Sequence, residues 1–212
     1  MRAVFDFDGT LFDTFPGVSR CINLTLSKMN RPPFEDAVLR TFLGPPIFVG
    51  FSTIADMNEK DAERAVELFH AEYDISGVFE SCPYEGIPQL LERLKQKGIT
   101  LAIASSKPQE MIEKLLKTHS LEKYFSKAVG VSSGRRDTDK SLLLKAAAEG
   151  ESAVMIGDRH FDIDAAVKLG FKSIGVTYGF GTKEELLGAG ASEIADSPMA
   201  IESALEKISA QR

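Results

Sequence analysis

Two aspartates, Asp6 and Asp8, stand two residues apart where an apolar run ends, and Gly9, Thr10 and Leu11 follow them. Carboxylates at that spacing beside a strand end can both reach one ligand. Gly9 lets the chain turn where a side chain would obstruct. Close carboxylates repel each other, so a cation is expected between them, and oxygen ligands of this kind suit magnesium. Taken alone, the segment is equally a turn, because Asp-Gly is a common turn dipeptide. A second pair, Asp158 and Asp162, lies in Gly157-Asp158-Arg159-His160-Phe161-Asp162 after another apolar run. Asp158 is placed to complete a metal site, and Asp162 to cap the next helix or to orient a ligand. Between the pairs lies Ser105-Ser106-Lys107-Pro108, a hydroxyl ahead of a helix start with Pro108 near the first helical position. That pattern makes an anion site, or a plain N-cap. Lys140 opens a further predicted helix; a lysine there is by itself a solvated charge.

The elements that must position these groups alternate along the chain. Apolar, β-branched runs predict strands at 2–7, 99–104, 127–131, 153–156 and 172–176. Helical periodicity predicts helices at 86–97, 108–119, 139–149, 161–169, 184–189 and 200–208. Leu90, Leu91 and Leu94 repeat at helical spacing, as do Ile112, Leu115 and Leu116. Strands alternating with helices imply a parallel sheet covered on both faces, with ligands beyond the carboxyl ends of its strands. Four strand ends then contribute a carboxylate pair, a hydroxyl, a lysine and a second carboxylate pair. Between Thr14 and Ser81 the rhythm breaks and only helical patterns occur. One face comprises Val18, Cys21, Ile22 and Thr25, another Ala62, Ala65, Val66 and Phe69. The stretch is expected to be an all-helical insert standing as a lid over the active end of the sheet. Its segment Leu43-Gly44-Pro45-Pro46-Ile47-Phe48 is the candidate substrate-facing loop, or a helix-breaking turn.

Composition bounds the function. The chain has 212 residues, 43% hydrophobic and 26% charged, enough for one core domain with a small insert. A net charge of −6 argues against non-specific nucleic-acid binding, which needs a basic face. The two cysteines, Cys21 and Cys82, have no metal-ligand neighbour at useful spacing and are read as reduced, buried thiols. The stretch 42–55 is too short to span a bilayer and is broken by glycines and prolines. The N-terminus lacks the apolar stretch of a signal peptide. The expected location is the cytoplasm, with no membrane and no nucleic acid as partner.

The segments at 6–14 (DFDGTLFDT), 103–108 (IASSKP), 155–166 (MIGDRHFDIDAA) and 175–186 (GVTYGFGTKEEL) resemble the haloacid dehalogenase superfamily, specifically its phosphoglycolate phosphatase-like and 5′-nucleotidase-like phosphatases. The resemblance implies an α/β fold, a Rossmann-like parallel sheet at 1–13 and 82–212 with a small helical cap at 14–81. It implies that Asp6 is the nucleophile and Asp8 the acid/base. Ser105, Ser106, Gly9 and Lys140 would bind substrate phosphate, with Lys145 the alternative lysine. Asp6, Asp8 and Asp158 would hold Mg2+, and Asp162 would support them from behind. His160 lies within the second carboxylate motif without an assigned role, while His70 and His119 are read as structural. The implied reaction is hydrolysis of a small phosphomonoester, phosphoglycolate or a nucleoside 5′-monophosphate, through an aspartyl-phosphate. The alternative is a sugar phosphomutase of the β-phosphoglucomutase type. The partner is a small phosphorylated metabolite, and the protein a monomer or homodimer.

Overall fold

The computed structural model of the chain describes residues 1–132 and 139–210. Asp137 and Thr138, which lead up to Lys140 in the sequence, lie outside them. The chain divides into one unit formed by 1–13 and 83–212 and another formed by 14–82.

The first strand, β1 (Arg2–Phe5), is buried along its whole length. A short β2 (Phe12–Asp13) follows, and the chain then enters the helical unit. That unit holds α1 (Phe15–Lys28), α2 (Asp36–Leu39), α3 (Ile47–Val49) and α4 (Glu59–Tyr73). Helix α1 buries Gly17, Cys21, Ile22, Thr25 and Leu26, and α4 buries Ala62, Ala65, Phe69 and Tyr73. Apolar residues at these three- and four-residue steps form one stripe per helix, so each stripe can be buried together. Asn58 caps α4 by accepting a hydrogen bond from the Asp61 backbone N–H at 3.0 Å. Arg20 joins elements of the unit through Glu80 at 2.6 Å and Glu72 at 3.3 Å. The Gly44-Pro45-Pro46 segment lies between a single turn at Arg40–Phe42 and α3.

After β3 (Cys82–Pro83) the chain builds the rest of the core unit. In order these are α5 (Ile87–Gln96), β4 (Thr100–Pro108), α6 (Gln109–Thr118), β5 (Phe125–Val131), α7 (Lys140–Ala148), β6 (Ala153–Gly157), α8 (His160–Lys168), β7 (Lys172–Val176), α9 (Lys183–Gly188), β8 (Glu193–Ala195) and α10 (Ala200–Ala210). Six strands pair in the order β5-β4-β1-β6-β7-β8, and each described pairing is parallel. β1 therefore lies between β4 and β6, where the strand order reverses, the place at which sheets of this kind take ligands beyond their carboxyl ends. The α/β expectation and its parallel sheet are borne out. The leucine stripes are buried too: Leu90, Leu91 and Leu94 on α5, and Ile112, Leu115 and Leu116 on α6.

Three expectations are corrected. β4 does not stop at residue 104 but runs to Pro108, with irregular register against β5 between Ala104 and Pro108. Pro108 is consequently the N-cap of α6, and Ser105 lies too early in the strand to cap it. β8 has three residues at the sheet edge, too few for its alternation to register in the sequence. Cys82 is exposed, whereas Cys21 is buried as expected. Among the described residues no helix is long and apolar enough to cross a membrane.

Two outcomes follow. Leu91 is fully buried, so Leu91→Ala is expected to cost about 2–5 kcal/mol, read as a lower denaturant midpoint with little change of slope. Burial pushes the Cys21 thiol up to about 11. Iodoacetamide at mildly alkaline pH should therefore alkylate Cys82 in the native protein and reach Cys21 only in denaturant, read by peptide mass.

Candidate active site

Asp6 follows directly on β1, and its backbone N–H still donates to Ile156 O at 2.8 Å, extending the sheet by one rung. Beyond it the chain curls tightly. The N–H groups of Leu11 and Phe12 both reach Phe7 O, at 2.9 and 3.0 Å. Gly9 takes φ +78, a left-handed conformation natural to glycine. Space demands glycine as well, because a Cβ there would overlap Asp158 and the Phe180 ring. The curl fixes Asp6 and Asp8 in different surroundings, although one residue separates them.

Asp158, at the end of β6, has no solvent exposure. Its Oδ1 accepts from Thr10 Oγ1 at 3.3 Å, and its Oδ2 accepts from Phe180 N–H at 2.8 Å. The loop carrying Phe180 is pinned by Tyr178, whose hydroxyl donates to Thr10 O at 2.8 Å. Gly179 and Gly181 bring this loop against Gly9 and Asp158 so closely that a Cβ at either would collide with backbone. Asp162 lies one turn into α8. Its Oδ2 accepts from Arg159 N–H at 3.3 Å, so it caps the helix as expected. Its other oxygen lies 2.8 Å from Lys140 Nζ.

Lys140 is the first residue of α7, whose N-cap Asp139 accepts from Ser141 N–H at 2.9 Å. Its ammonium bridges Asp162 and Asp6, the latter at 2.7 Å. Of the two candidate lysines, Lys140 reaches the carboxylates, whereas Lys145 is exposed further along α7. Burial opposes the charge on Lys140, but Asp162 and Asp6 outweigh it and hold the ammonium above its ordinary range. Burial drives the Asp158 carboxyl well above its ordinary value, and the charges of Asp162 and Asp6 push the same way. Asp162 is raised as well, chiefly by burial, with Lys140 opposing.

Asp6, Asp158 and Asp162 each offer an oxygen within 4.8 Å of the others. Oδ1 of Asp6 and Oδ1 of Asp162 are buried and accept no hydrogen bond of regular geometry, although both lie against Lys140. Three buried carboxylates against that ammonium leave negative charge in excess. A hard divalent cation taking oxygen ligands, such as Mg2+, fits this donor set. Of the ligands expected from the sequence, Asp6, Asp8 and Asp158, the first and third contribute side-chain oxygens to this cluster. The Asp8 carboxylate lies 2.9 Å from Lys107 Nζ, outside the side-chain cluster. The period of two that would align Asp6 with Asp8 lapses once β1 ends at Phe5. Ser105 is buried within β4 and accepts from Lys107 N–H at 3.3 Å, while Ser106 is exposed.

The His160 ring meets Asp164 at 2.9 Å and lies tilted against Phe161. His70 meets Asp74 along α4, and His119 lies edge-on to Phe12. Three contributors escaped the sequence reading, namely Thr10, the 178–181 loop and Lys107. For Lys107 a signal existed. Once β4 is carried past residue 104, Ser105 and Lys107 fall on one face at strand period.

A family model described as haloacid dehalogenase-like hydrolase matches residues 3–176. A 5′-nucleotidase of Pseudomonas aeruginosa is 32% identical over 188 residues, covering 86% of this chain and 85% of that one. A phosphoglycolate phosphatase of Vibrio parahaemolyticus is 28% identical over 209 residues, covering 91% and 90%. The crystal structure of a predicted phosphatase from Clostridium acetobutylicum superposes with a TM-score of 0.89 at 34% identity, covering 97% of this chain and 98% of that one.

If the carboxylate cluster takes Mg2+, the metal should raise the melting temperature in proportion to the logarithm of its concentration. Asp158→Asn keeps both hydrogen bonds, its carbonyl accepting from Phe180 N–H and its amide donating to Thr10 Oγ1. The variant should melt near the metal-free wild type and lose the Mg2+-dependent rise. An equal rise in both proteins would remove Asp158 from the site.

Proposed function

The chain belongs to the haloacid dehalogenase-like hydrolases and is a phosphatase of that family, and on this premise we propose that it hydrolyses a small phosphomonoester, with Mg2+, through a phosphorylated Asp6. The observation that carries the reading is the pairing of Asp6 with Lys140, 2.7 Å apart, beside two further buried carboxylates. Carboxylate attack on a phosphoryl group is opposed by like charge, so a nucleophilic Asp6 needs positive charge around it.

Asp6, Asp158 and Asp162 would hold the metal, which when bound supplies positive charge to the phosphoryl oxygens. In the proposed reaction Asp6 attacks phosphorus, and Lys140 and the Ser105 hydroxyl hold the phosphoryl oxygens. Asp8 gives its proton to the departing substrate oxygen. It then takes a proton from water as the water oxygen bonds to phosphorus, the bond to Asp6 breaks and phosphate leaves. Relatives named 5′-nucleotidase and phosphoglycolate phosphatase support a nucleoside 5′-monophosphate or phosphoglycolate as the substrate class.

Turnover of both substrates should stop with chelator and return with excess Mg2+. After a rapid acid quench from an aryl phosphate, Asp8→Asn should carry a phosphate adduct on Asp6. Asp6→Asn should carry none and turn over at background. An adduct on any residue other than Asp6, or on the Asp6→Asn protein, would overturn this mechanism.

A further inference from the structure

Asp8 is held by a lysine that the proposed chemistry does not otherwise use. Lys107 Nζ lies 2.9 Å from Asp8 Oδ1, and the two side chains differ sharply in exposure, 4% for Lys107 against 33% for Asp8. The carboxylate is thus partly open to solvent, whereas the lysine paired with it is buried. The same ammonium lies 5.7 Å from the centre of the Phe7 ring, the residue between the two leading aspartates. Phe7 has no exposure and stacks on Phe12 at 4.4 Å, so the surface under Lys107 is rigid. Lys107 enters from β4, where the strand prolonged to Pro108 turns Ser105 and Lys107 inward and Ser106 outward. Lys140 serves Asp6 in the same way from α7. Each of the two leading carboxylates thus has its own lysine, delivered by a different element.

We propose that Lys107 is a positioning residue for the acid/base carboxylate, holding Asp8 in one orientation; the inference rests on the acid/base role given to Asp8 above. The ion pair therefore acts on the steps in which Asp8 moves a proton. Those steps are protonation of a poor leaving group and deprotonation of the water that attacks phospho-Asp6. Departure of an aryl leaving group needs little protonation, so that half-reaction should be nearly indifferent to Lys107.

Lys107→Met keeps the apolar stem over Phe7 and removes the charge. With an aryl phosphate at saturating Mg2+, kcat should fall by about ten- to a hundredfold, and the phosphorylated fraction of quenched enzyme should rise well above wild type. For an alkyl phosphate kcat/KM should fall at least about tenfold further than for the aryl one, because alkoxide departure needs the acid. Lys107→Arg, which retains the charge, should recover most of both losses. If the methionine variant does not fold by circular dichroism, Lys107→Gln takes its place in the same measurements. A merely structural role predicts aryl and alkyl substrates losing alike with no build-up of phosphoenzyme, and that result, or wild-type turnover, would overturn the inference. Asp8→Asn run alongside separates the two levels. An adduct on Asp6 in that variant sustains the mechanism whatever Lys107 does, and its absence there sinks the mechanism itself.

Discussion

Burying three carboxylates within 4.8 Å of one another carries a standing electrostatic cost, and much of the core unit is arranged to bear it. Asp158 is the extreme case, with no exposure and two like charges beside it. Its oxygens are met by Thr10 and Phe180, neutral donors that stabilise the ion only in part. Lys140 offsets the charge of Asp6 and Asp162 and in turn depends on them, because its own burial disfavours the ammonium. Removing Lys140 would leave Asp6 and Asp162 uncompensated, and removing both of them would leave its ammonium buried and unpaired. This mutual dependence is why groups from β1, α7, β6 and α8 must arrive at one place together.

Delivery to that place follows from a parallel sheet whose strand order reverses at β1. Parallel strands point their carboxyl ends the same way, so residues that follow β1, β4 and β6 converge whatever their separation in sequence. Final placement is set by contacts that side chains larger than hydrogen would prevent. Gly9, Gly179 and Gly181 let two loops press against Asp158, and Tyr178 fastens one loop to the other through Thr10 O. Asp162 shows how one residue serves local and tertiary ends at once, capping α8 with one oxygen and meeting Lys140 with the other.

Much of this was legible in advance because it rests on periodicity and on charge spacing. The leucines of α5 and α6 repeat at helical steps, and they are the residues buried. The apolar runs of β1, β6 and β7 mark strands buried on both faces, where no polar alternation is needed. The aspartate pairs follow apolar runs, and those runs are the strands β1 and β6. The end of β4 was misread because Ser-Ser-Lys-Pro has the look of a helix cap. Tertiary burial of Ser105 and Lys107 carries the strand onward against that local preference.

Residue types and their order along the chain thus determined the fold class, the order of the longer strands and helices and the family, and narrowed the candidate site to a few aspartates and to Lys140 or Lys145. Tertiary structure alone decided how those charges are partnered. It assigned Lys140 to Asp6 and Asp162, turned Asp8 from the carboxylate cluster toward Lys107, and brought the 178–181 loop onto Asp158. The reason is physical: periodicity and propensity act over a few residues and are written locally. An ion pair between residues 8 and 107, or a hydrogen bond between 158 and 180, exists only when separate elements are packed to ångström distances.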